Sequence, residues 1–166
     1  MTLVELCIVI VIMGILLVAA TAGLLKARAY ATEAAAVAAL KSVHVAQMNY
    51  AADCGRSFFA TSLLVLAASP GGGRAGYLPE EFNAGLTVYK GGYHITVGPG
   101  LEADLSHFDC RGRPTQSKYY GSAVPSGGEN SGANRAFAVN QQGAIWQLGG
   151  VVAPVEPFGP PATIVQ

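Results

Sequence analysis

Charged side chains are scarce in this chain, and their signs cancel. Only 12% of its 166 residues are Asp, Glu, Lys or Arg, with ten acidic residues against ten basic ones. A chain without net charge is poorly suited to binding a polyanion, so no nucleic-acid partner is indicated. The apolar content of 51% instead fits a protein that buries much of its surface in a membrane or against copies of itself.

The sequence motifs of common enzyme and cofactor sites are also missing. The three histidines, His44, His94 and His107, have no ligand-like spacing. The chain contains no C-x-x-C-H haem attachment, no P-loop and no G-x-S-x-G nucleophile elbow. We therefore expect a protein that is not an enzyme and needs no cofactor.

One long stretch has no charged side chain at all. Within residues 6–25 the only ionisable group is Cys7, and twenty helical residues at about 1.5 Å each span roughly 30 Å, the thickness of a bilayer hydrocarbon core. We interpret this stretch as a membrane span. A cleaved secretory signal, the alternative, needs a basic segment before the apolar run and a small-residue cleavage site after it, and this sequence shows neither. The nearest cations, Lys26 and Arg28, follow the run. By the positive-inside rule, this alone would place the rest of the chain in the cytoplasm. We expect the opposite orientation, because a short basic leader removed before Met1 reverses that rule.

A single carboxylate, Glu5, lies at the edge of the apolar run. Thr2 and Glu5 have the spacing of a capping box, in which each side chain satisfies a free amide of the first helical turn. A cap does not explain why a carboxylate lies at the edge of hydrocarbon, where ionisable groups are costly and usually paired. The second interpretation is therefore a pair between Glu5 and an amine, either that of Met1 or that of a neighbouring copy.

The amino-terminal sequence carries a resemblance to a known family. Residues 2–6, Thr-Leu-Val-Glu-Leu, and the apolar run 8–16 with Gly14 resemble the start of mature type IV pilins and of the related type II secretion pseudopilins. The resemblance covers about the first thirty residues, and it rests on T-L-x-E at the extreme terminus and on the glycine in the run. It implies the pilin fold, a leader removed by a prepilin peptidase, an N-methylated Met1 and a Glu5 that is required for assembly. The chain departs from the pattern at Met1, where Phe is usual, and at Ala22, where many members carry Pro.

The resemblance also implies a function. The expected protein is the structural subunit of an extracellular pilus filament, a homopolymer whose subunits wait in the inner membrane before an assembly platform extracts them. The alternatives are a pseudopilin of a type II secretion system and a membrane-anchored minor pilin that acts as an adhesin or DNA-binding tip. Major pseudopilins bind calcium in the general region of Glu102, Asp104 and Asp109. The spacing of these three acidic residues does not match an EF-hand loop. We therefore expect them to be solvated carboxylates and not a metal site.

The helix is predicted to continue well beyond the apolar run. Alanine is abundant after residue 26, and neither Gly nor Pro occurs between Gly23 and Gly55. This predicts one helix of about fifty residues, apolar over 1–25 and amphipathic over 26–53. Gly14 and Gly23 bracket the stretch that the resemblance to filament subunits predicts to lose its helical hydrogen bonds when subunits pack.

The amphipathic part presents a bulky face and a small face in a helical projection. We expect the bulky face to pack on the rest of the chain and the small face to admit a neighbouring helix; an alanine-rich solvated helix is the alternative. The bulky face contains Tyr30, Val37, Leu40, His44 and Met48, and the small face contains Ala31, Ala35, Ala38, Ser42, Ala46 and Asn49.

Residues 54–166 predict a small antiparallel β-rich head, which makes the fold class α+β. Alternating residues around Gly91-Gly92 predict a hairpin of 86–90 with 93–97, and a second hairpin of 135–140 with 144–148 turns at Gly143. We also expect a short helix over 61–68, a turn or helix start at 78–81 and a third strand over 105–108. The stretch 121–134, rich in Gly, Ser and Asn, predicts a surface loop, and the proline-rich 149–166 predicts an extended tail along the surface or against a neighbour.

The three cysteines separate by position. Cys7 lies within the apolar run and is interpreted as a small apolar residue. Cys54 and Cys110 both lie outside the expected span, so a disulfide between them is the simplest pairing, with two free thiols as the alternative. Closing that loop of about 56 residues contributes roughly 4 kcal/mol on the chain-entropy model.

Overall fold

A long helix and an antiparallel sheet make up the fold. The computed structural model describes residues 2–69, 74–127 and 134–165, apart from the side chains of residues 18–22 and 25. Helix α1 (Leu3–Asp53) comprises 51 residues and precedes all other elements. The predicted α+β class, with an amino-terminal helix and a carboxy-terminal antiparallel sheet, is confirmed.

The described part of the chain after α1 contains one more α-helix, one 3₁₀ helix and eight strands. The 61–68 helix is found as α2 (Leu63–Ala67), and the predicted helix start at 78–81 begins a 3₁₀ helix, Glu80–Ala84. The strands are β1 (Phe59–Ala60), β2 (Thr87–Lys90), β3 (Tyr93–Pro99), β4 (Thr115–Gln116), β5 (Tyr119–Pro125), β6 (Arg135–Asn140), β7 (Ile145–Gly149) and β8 (Thr163–Ile164). Six of them form one antiparallel sheet in the order β2-β3-β5-β6-β7-β8, and β1 pairs with β4.

Both predicted hairpins are confirmed. In the first, Lys90 pairs with Tyr93 across Gly91 and Gly92, whose φ angles of 59° and 83° are those that a type I′ turn requires. In the second, β6 and β7 pair across a turn in which Gly143 has φ 80°. The turn glycines therefore set the register of four of the six strands.

Two predictions of strand and loop are wrong. Residues 105–108 form no strand; only Phe108 makes an isolated bridge, to Pro114. Residues 121–125, expected in a loop, belong to β5, which lies between β3 and β6 in the sheet. The reason is close packing, since a Cβ on Gly121 would lie 3.2 Å from Val139 Cγ1 and 3.8 Å from Leu40 Cδ2. Of the rest of the expected loop, residues 126, 127 and 134 belong to no strand or helix, as predicted, and residues 128–133 lie outside the described residues.

The second half of α1 packs on the inner face of the sheet through a stripe at helical spacing. The stripe is rotated from the predicted bulky face, because Tyr30 and Met48 are 65% and 47% exposed whereas Ala46 is 1% exposed. Polar anchors explain the rotation: both atoms of the Gln47 amide bond the backbone of Ala60, at 2.8 and 2.9 Å. The buried members of the stripe are Glu33, Ala36, Ala39, Leu40, Val43, Ala46, Gln47, Tyr50 and Ala51.

The proline-rich carboxy-terminal segment lies along the head, as the first of the two predicted alternatives has it. Its end forms β8, which pairs with β7. Before that, the Tyr120 hydroxyl donates a hydrogen bond of 2.6 Å to the carbonyl of Pro154. The ring of Phe158 stacks on Trp146 with centroids 5.5 Å apart. The segment is therefore fixed on the outer face of the sheet.

Candidate functional site

The first part of α1 is apolar and wholly exposed. Every residue from 3 to 17 is exposed, and its twelve large apolar side chains keep between 45% and 80% of their surface. Burying one such side chain completely is worth about 1.5–3 kcal/mol, so leaving the exposed part of all twelve in water forgoes roughly 10–20 kcal/mol. A surface of this size marks a site where another molecule or a lipid phase covers the protein.

The apolar surface of this segment extends around the whole helix. Residues 3–17 contain no charged residue except Glu5, and exposed Leu, Val, Ile and Met side chains occur at nearly every position. A surface helix of a globular protein has one apolar stripe, whereas a helix that is apolar all round is enclosed on all sides. A helix of this kind is normally enclosed by lipid or by several surrounding helices, and not by one groove on one partner.

Within the described residues, no helix is long and apolar enough to cross a membrane. The expected span of residues 6–25 includes the side chains of 18–22 and 25, which lie outside the described ones. The membrane span stays a prediction.

A capping box closes the amino-terminal end of α1, as the Thr2 and Glu5 spacing predicts. The Glu5 amide donates to Thr2 Oγ1 at 3.3 Å, and the Thr2 amide donates to Glu5 Oε2 at 3.4 Å. These distances lie beyond the usual range for N–H···O bonds, so the cap holds the carboxylate weakly. Because Glu5 is also exposed, its carboxylate is accessible to a partner. Met1 lies outside the described residues, and its pairing with Glu5 stays a prediction.

Gly14 and Gly23 are not required by packing against any described atom. Both lie in α1, and a Cβ built on either would meet nothing within 4 Å among the described atoms. A helical glycine costs about 1 kcal/mol relative to alanine. No contact among the described atoms offsets that cost. Loss of helix between the two glycines stays a prediction, and Ala22 is among the side chains outside the described ones.

The predicted disulfide joins the end of α1 to the head. Cys54 and Cys110 are bonded, with Cα atoms 5.0 Å apart, and the Cys110 amide donates to the Cys54 carbonyl at 2.9 Å. Cys7 is a free, exposed cysteine. The disulfide thus fixes the carboxy-terminal end of α1 against the loop that precedes β4.

Asp109 is buried beside this disulfide, contrary to the expectation of a solvated carboxylate. It is 3% exposed, and it accepts hydrogen bonds from the Tyr50 hydroxyl at 2.9 Å, from Arg113 Nε at 2.8 Å and from the amides of Arg111 and Arg113, each at 2.8 Å. Burial alone raises the pKa of Asp109, but these hydrogen bonds outweigh it and hold the pKa below its usual value. Asp109 is therefore a structural anion that ties the head to α1.

The other two candidate calcium ligands remain exposed. Asp104 accepts a bond of 2.8 Å from the Ser106 amide, and Glu102 has a positive φ of 55°. Among the described residues, no cluster of three or more His, Cys, Asp or Glu side chains could hold a metal ion.

A second polar anchor, between Glu33 and Arg135, joins α1 to β6. Glu33 is 7% exposed and accepts from Arg135 Nε at 3.0 Å, while Arg135 Nη1 donates to Gln147 at 3.0 Å. The bond to Glu33 raises the pKa of Arg135. The sequence analysis missed this pair, although a lone glutamate in an alanine-rich helix was a signal that could have found it.

Comparisons of the chain with protein-family models, with curated proteins and with solved structures found no match.

Proposed function

We propose that this chain is the structural subunit of an extracellular type IV pilus filament. One observation carries the proposal: the first part of α1 is apolar on all sides and exposed, while the second part is bonded to a folded head. Before assembly the apolar part is held in the inner membrane. A prepilin peptidase and an assembly platform act on it there.

Polymerisation replaces lipid with neighbouring rods around the same apolar surface. Each rod packs among several others, which meets the need for enclosure on all sides. The contact joins different surfaces of successive subunits, so it is heterologous and continues as an open helix. Burial of the apolar side chains drives the association and keeps them from water.

Glu5 gives this otherwise non-directional association a fixed register. The Thr2 cap places its carboxylate at the end of the rod, where it neutralises the amine at Met1 of the adjacent subunit on docking. Removing one member of a charge pair from an apolar environment costs about 3 to 5 kcal/mol, which is enough to prevent docking.

Two substitutions separate this role from simple helix capping. Glu5→Gln removes the charge but retains an oxygen that accepts from the Thr2 amide, whereas Thr2→Ala removes the cap and retains the charge. We expect Glu5→Gln to leave the chain in the membrane fraction and to reduce the sheared filament yield at least tenfold, the effect of a loss of about 1.4 kcal/mol or more. Thr2→Ala should cost only about 1 kcal/mol of helix stability and leave most filaments in place.

Filament yield is measured by shearing, sedimentation and immunoblotting, normalised to the chain in the membrane. A normal yield from Glu5→Gln would rule out the charge pairing. A Thr2→Ala defect as large as that of Glu5→Gln would instead assign the carboxylate to the cap.

A further inference from the structure

The contacts between α1 and the head fix which end of the head lies nearest the apolar part of α1. Glu33 contacts Arg135 at the start of β6, His44 adjoins the β6–β7 turn, and Cys54 is bonded to Cys110. β6 therefore runs away from the apolar part, and its first residue lies at the end of the head that faces that part. We call this end the proximal end.

A loop with apolar side chains lies at the proximal end. Arg135 pairs with the last residue of β7, and the Gly150 amide donates to the Asn134 carbonyl at 2.6 Å. Val151 and Val152 follow directly in the chain, and they are 59% and 64% exposed. The proximal end therefore combines a cation with an apolar pair that the described part of the head does not cover.

The stretch of α1 between its apolar part and the head is basic and aromatic. Lys26, Arg28 and Tyr30 are all exposed. At about 100° per residue, Lys26 and Arg28 lie about 80° to either side of Ala36, which is buried under the head. Both cations are thus on the head side of the helix. A cleft of about 450 Å³ opens between Lys26, Tyr30 and Arg135.

These residues lie at the depth of lipid headgroups if the apolar run fills the hydrocarbon core. A headgroup layer extends roughly 5–8 Å beyond that core. At about 1.5 Å per residue, Lys26 lies about 2 Å and Tyr30 about 8 Å beyond residue 25. Glu33, and with it Arg135, lies about 12 Å beyond, which is within one Debye length, about 8 Å, of the headgroup layer. Basic and aromatic side chains at this depth are typical of a membrane interface.

The proximal surface comprises the cations, the tyrosine and the valine pair at this end: Lys26, Arg28, Tyr30, Arg135, Val151 and Val152. We infer that this surface docks the head on the anionic headgroups of a lipid layer before the filament forms. The inference rests on the proposed function, in which the apolar part of α1 is held in a membrane. The cations are complementary in charge to lipid phosphates, and docking removes the valine pair from water.

The test measures the depth of single tryptophans in the full chain, reconstituted into phosphatidylcholine vesicles with and without phosphatidylglycerol. Trp146, the only tryptophan of the chain, is first replaced by Phe. Val151→Trp then probes the proximal surface, and Leu16→Trp probes the apolar part of α1. Phe108→Trp is the control, because Phe108 is 57% exposed and lies two residues before Cys110, at the opposite end of the head.

Quenching by spin-labelled lipids separates the inference from the proposed function. With phosphatidylglycerol present, a headgroup label should quench Val151→Trp and not Phe108→Trp, while an acyl-chain label should quench Leu16→Trp in both kinds of vesicle. Quenching of Leu16→Trp without stronger quenching of Val151→Trp than of Phe108→Trp would overturn the docking and leave the proposed function standing. An unquenched Leu16→Trp would overturn both.

A pair of lysine variants assigns the docking to charge. Lys26→Gln should lower the ratio of docked to undocked heads about fivefold, the effect of the roughly 1 kcal/mol that one basic residue contributes at an anionic lipid surface. Lys41→Gln, an exposed lysine about 22 Å further along α1, should leave the ratio unchanged. Equal effects of the two variants would contradict the inference. If Trp146→Phe does not fold, acetylation of the unchanged chain decides, since phosphatidylglycerol should slow the reaction of Lys26 and not that of Lys41.

Discussion

At the scale of single residues, Asp109 links the helix to the head. Its carboxylate joins Tyr50 of α1 to Arg113, and its neighbour Cys110 is bonded to Cys54. A buried anion with four donors is stable only while all of them are present, because an unpaired buried charge is costly. The disulfide and this network therefore fix the same contact by independent means.

Replacing Asp109 with Asn should destabilise the chain by about 3 kcal/mol, because Arg113 and Tyr50 lose a charged acceptor in a buried site. Chemical denaturation with non-reducing buffer measures the change. Asp104→Asn is the control, since that carboxylate is exposed and should matter little. Equal stability of the Asp109→Asn variant and the wild type would remove Asp109 from its structural role.

The same group predicts a dependence on pH. Hydrogen bonds hold the pKa of Asp109 below its usual value of about 3.9, so its contribution is fully present above about pH 4. The contribution is lost as the pH falls through the lowered pKa in the folded state. The difference in unfolding free energy between wild type and Asp109→Asn should accordingly shrink below about pH 4. A constant difference down to about pH 2 would contradict this assignment.

At the scale of elements, the β6–β7 turn packs directly against α1. A Cβ on Gly143 would lie 2.7 Å from His44 Nε2, and the other ring nitrogen of His44 is bonded to the Tyr119 hydroxyl at 2.6 Å. Burial lowers the pKa of His44, so at neutral pH the ring is uncharged. The ring thus has little room to move away from the turn.

Gly143→Ala should therefore lower the free energy of unfolding by more than the cost of placing an alanine at the positive φ of Gly143. A left-handed alanine costs about 1 kcal/mol, and overpacking against His44 adds about 1–3 kcal/mol. Gly112→Ala is the matched control, because Gly112 has φ 75° and a Cβ there meets nothing within 4 Å among the described atoms. Thermal unfolding of both variants measures the difference, and equal losses would show that His44 yields to the added methyl group.

Sequence patterns identified elements with local signals and missed those that depend on distant contacts. The turn glycines Gly91, Gly92 and Gly143 predicted both hairpins because positive φ is a local requirement. β5 was missed because its Gly-Ser-Ala composition is typical of a loop. Only the close approach of Val139, whose Cγ1 would lie 3.2 Å from a Cβ on Gly121, shows why a glycine suits that position.

The buried face of α1 was misjudged for a related reason. Side-chain bulk placed Tyr30 and Met48 against the head, but they are exposed. The orientation is fixed by polar bonds of Gln47, Tyr50 and Glu33 to parts of the chain that are distant in sequence. Helical periodicity shows that a stripe exists, and it does not show which polar residues find partners. At the candidate site, the sequence predicted the Thr2 cap from a short motif and the Cys54–Cys110 bond from simple cysteine pairing.

At the scale of the whole molecule, the chain has two parts with opposite surfaces. The head buries its apolar core beneath α1. It is held to α1 by the disulfide, by the hydrogen bond from the Tyr50 hydroxyl to buried Asp109, and by the ion pair of Glu33 with the partly exposed Arg135. The first part of α1 leaves large apolar side chains exposed in every direction. A filament that encloses the rods and displays the heads accounts for both.

The most direct test of this account is electron microscopy of the sheared surface fraction from the native source, with mass spectrometry of its main protein. The account predicts long fibres composed mainly of this chain, with a methylated residue at Met1. Fibres that lack the chain, with the chain left in the membrane fraction, would contradict it.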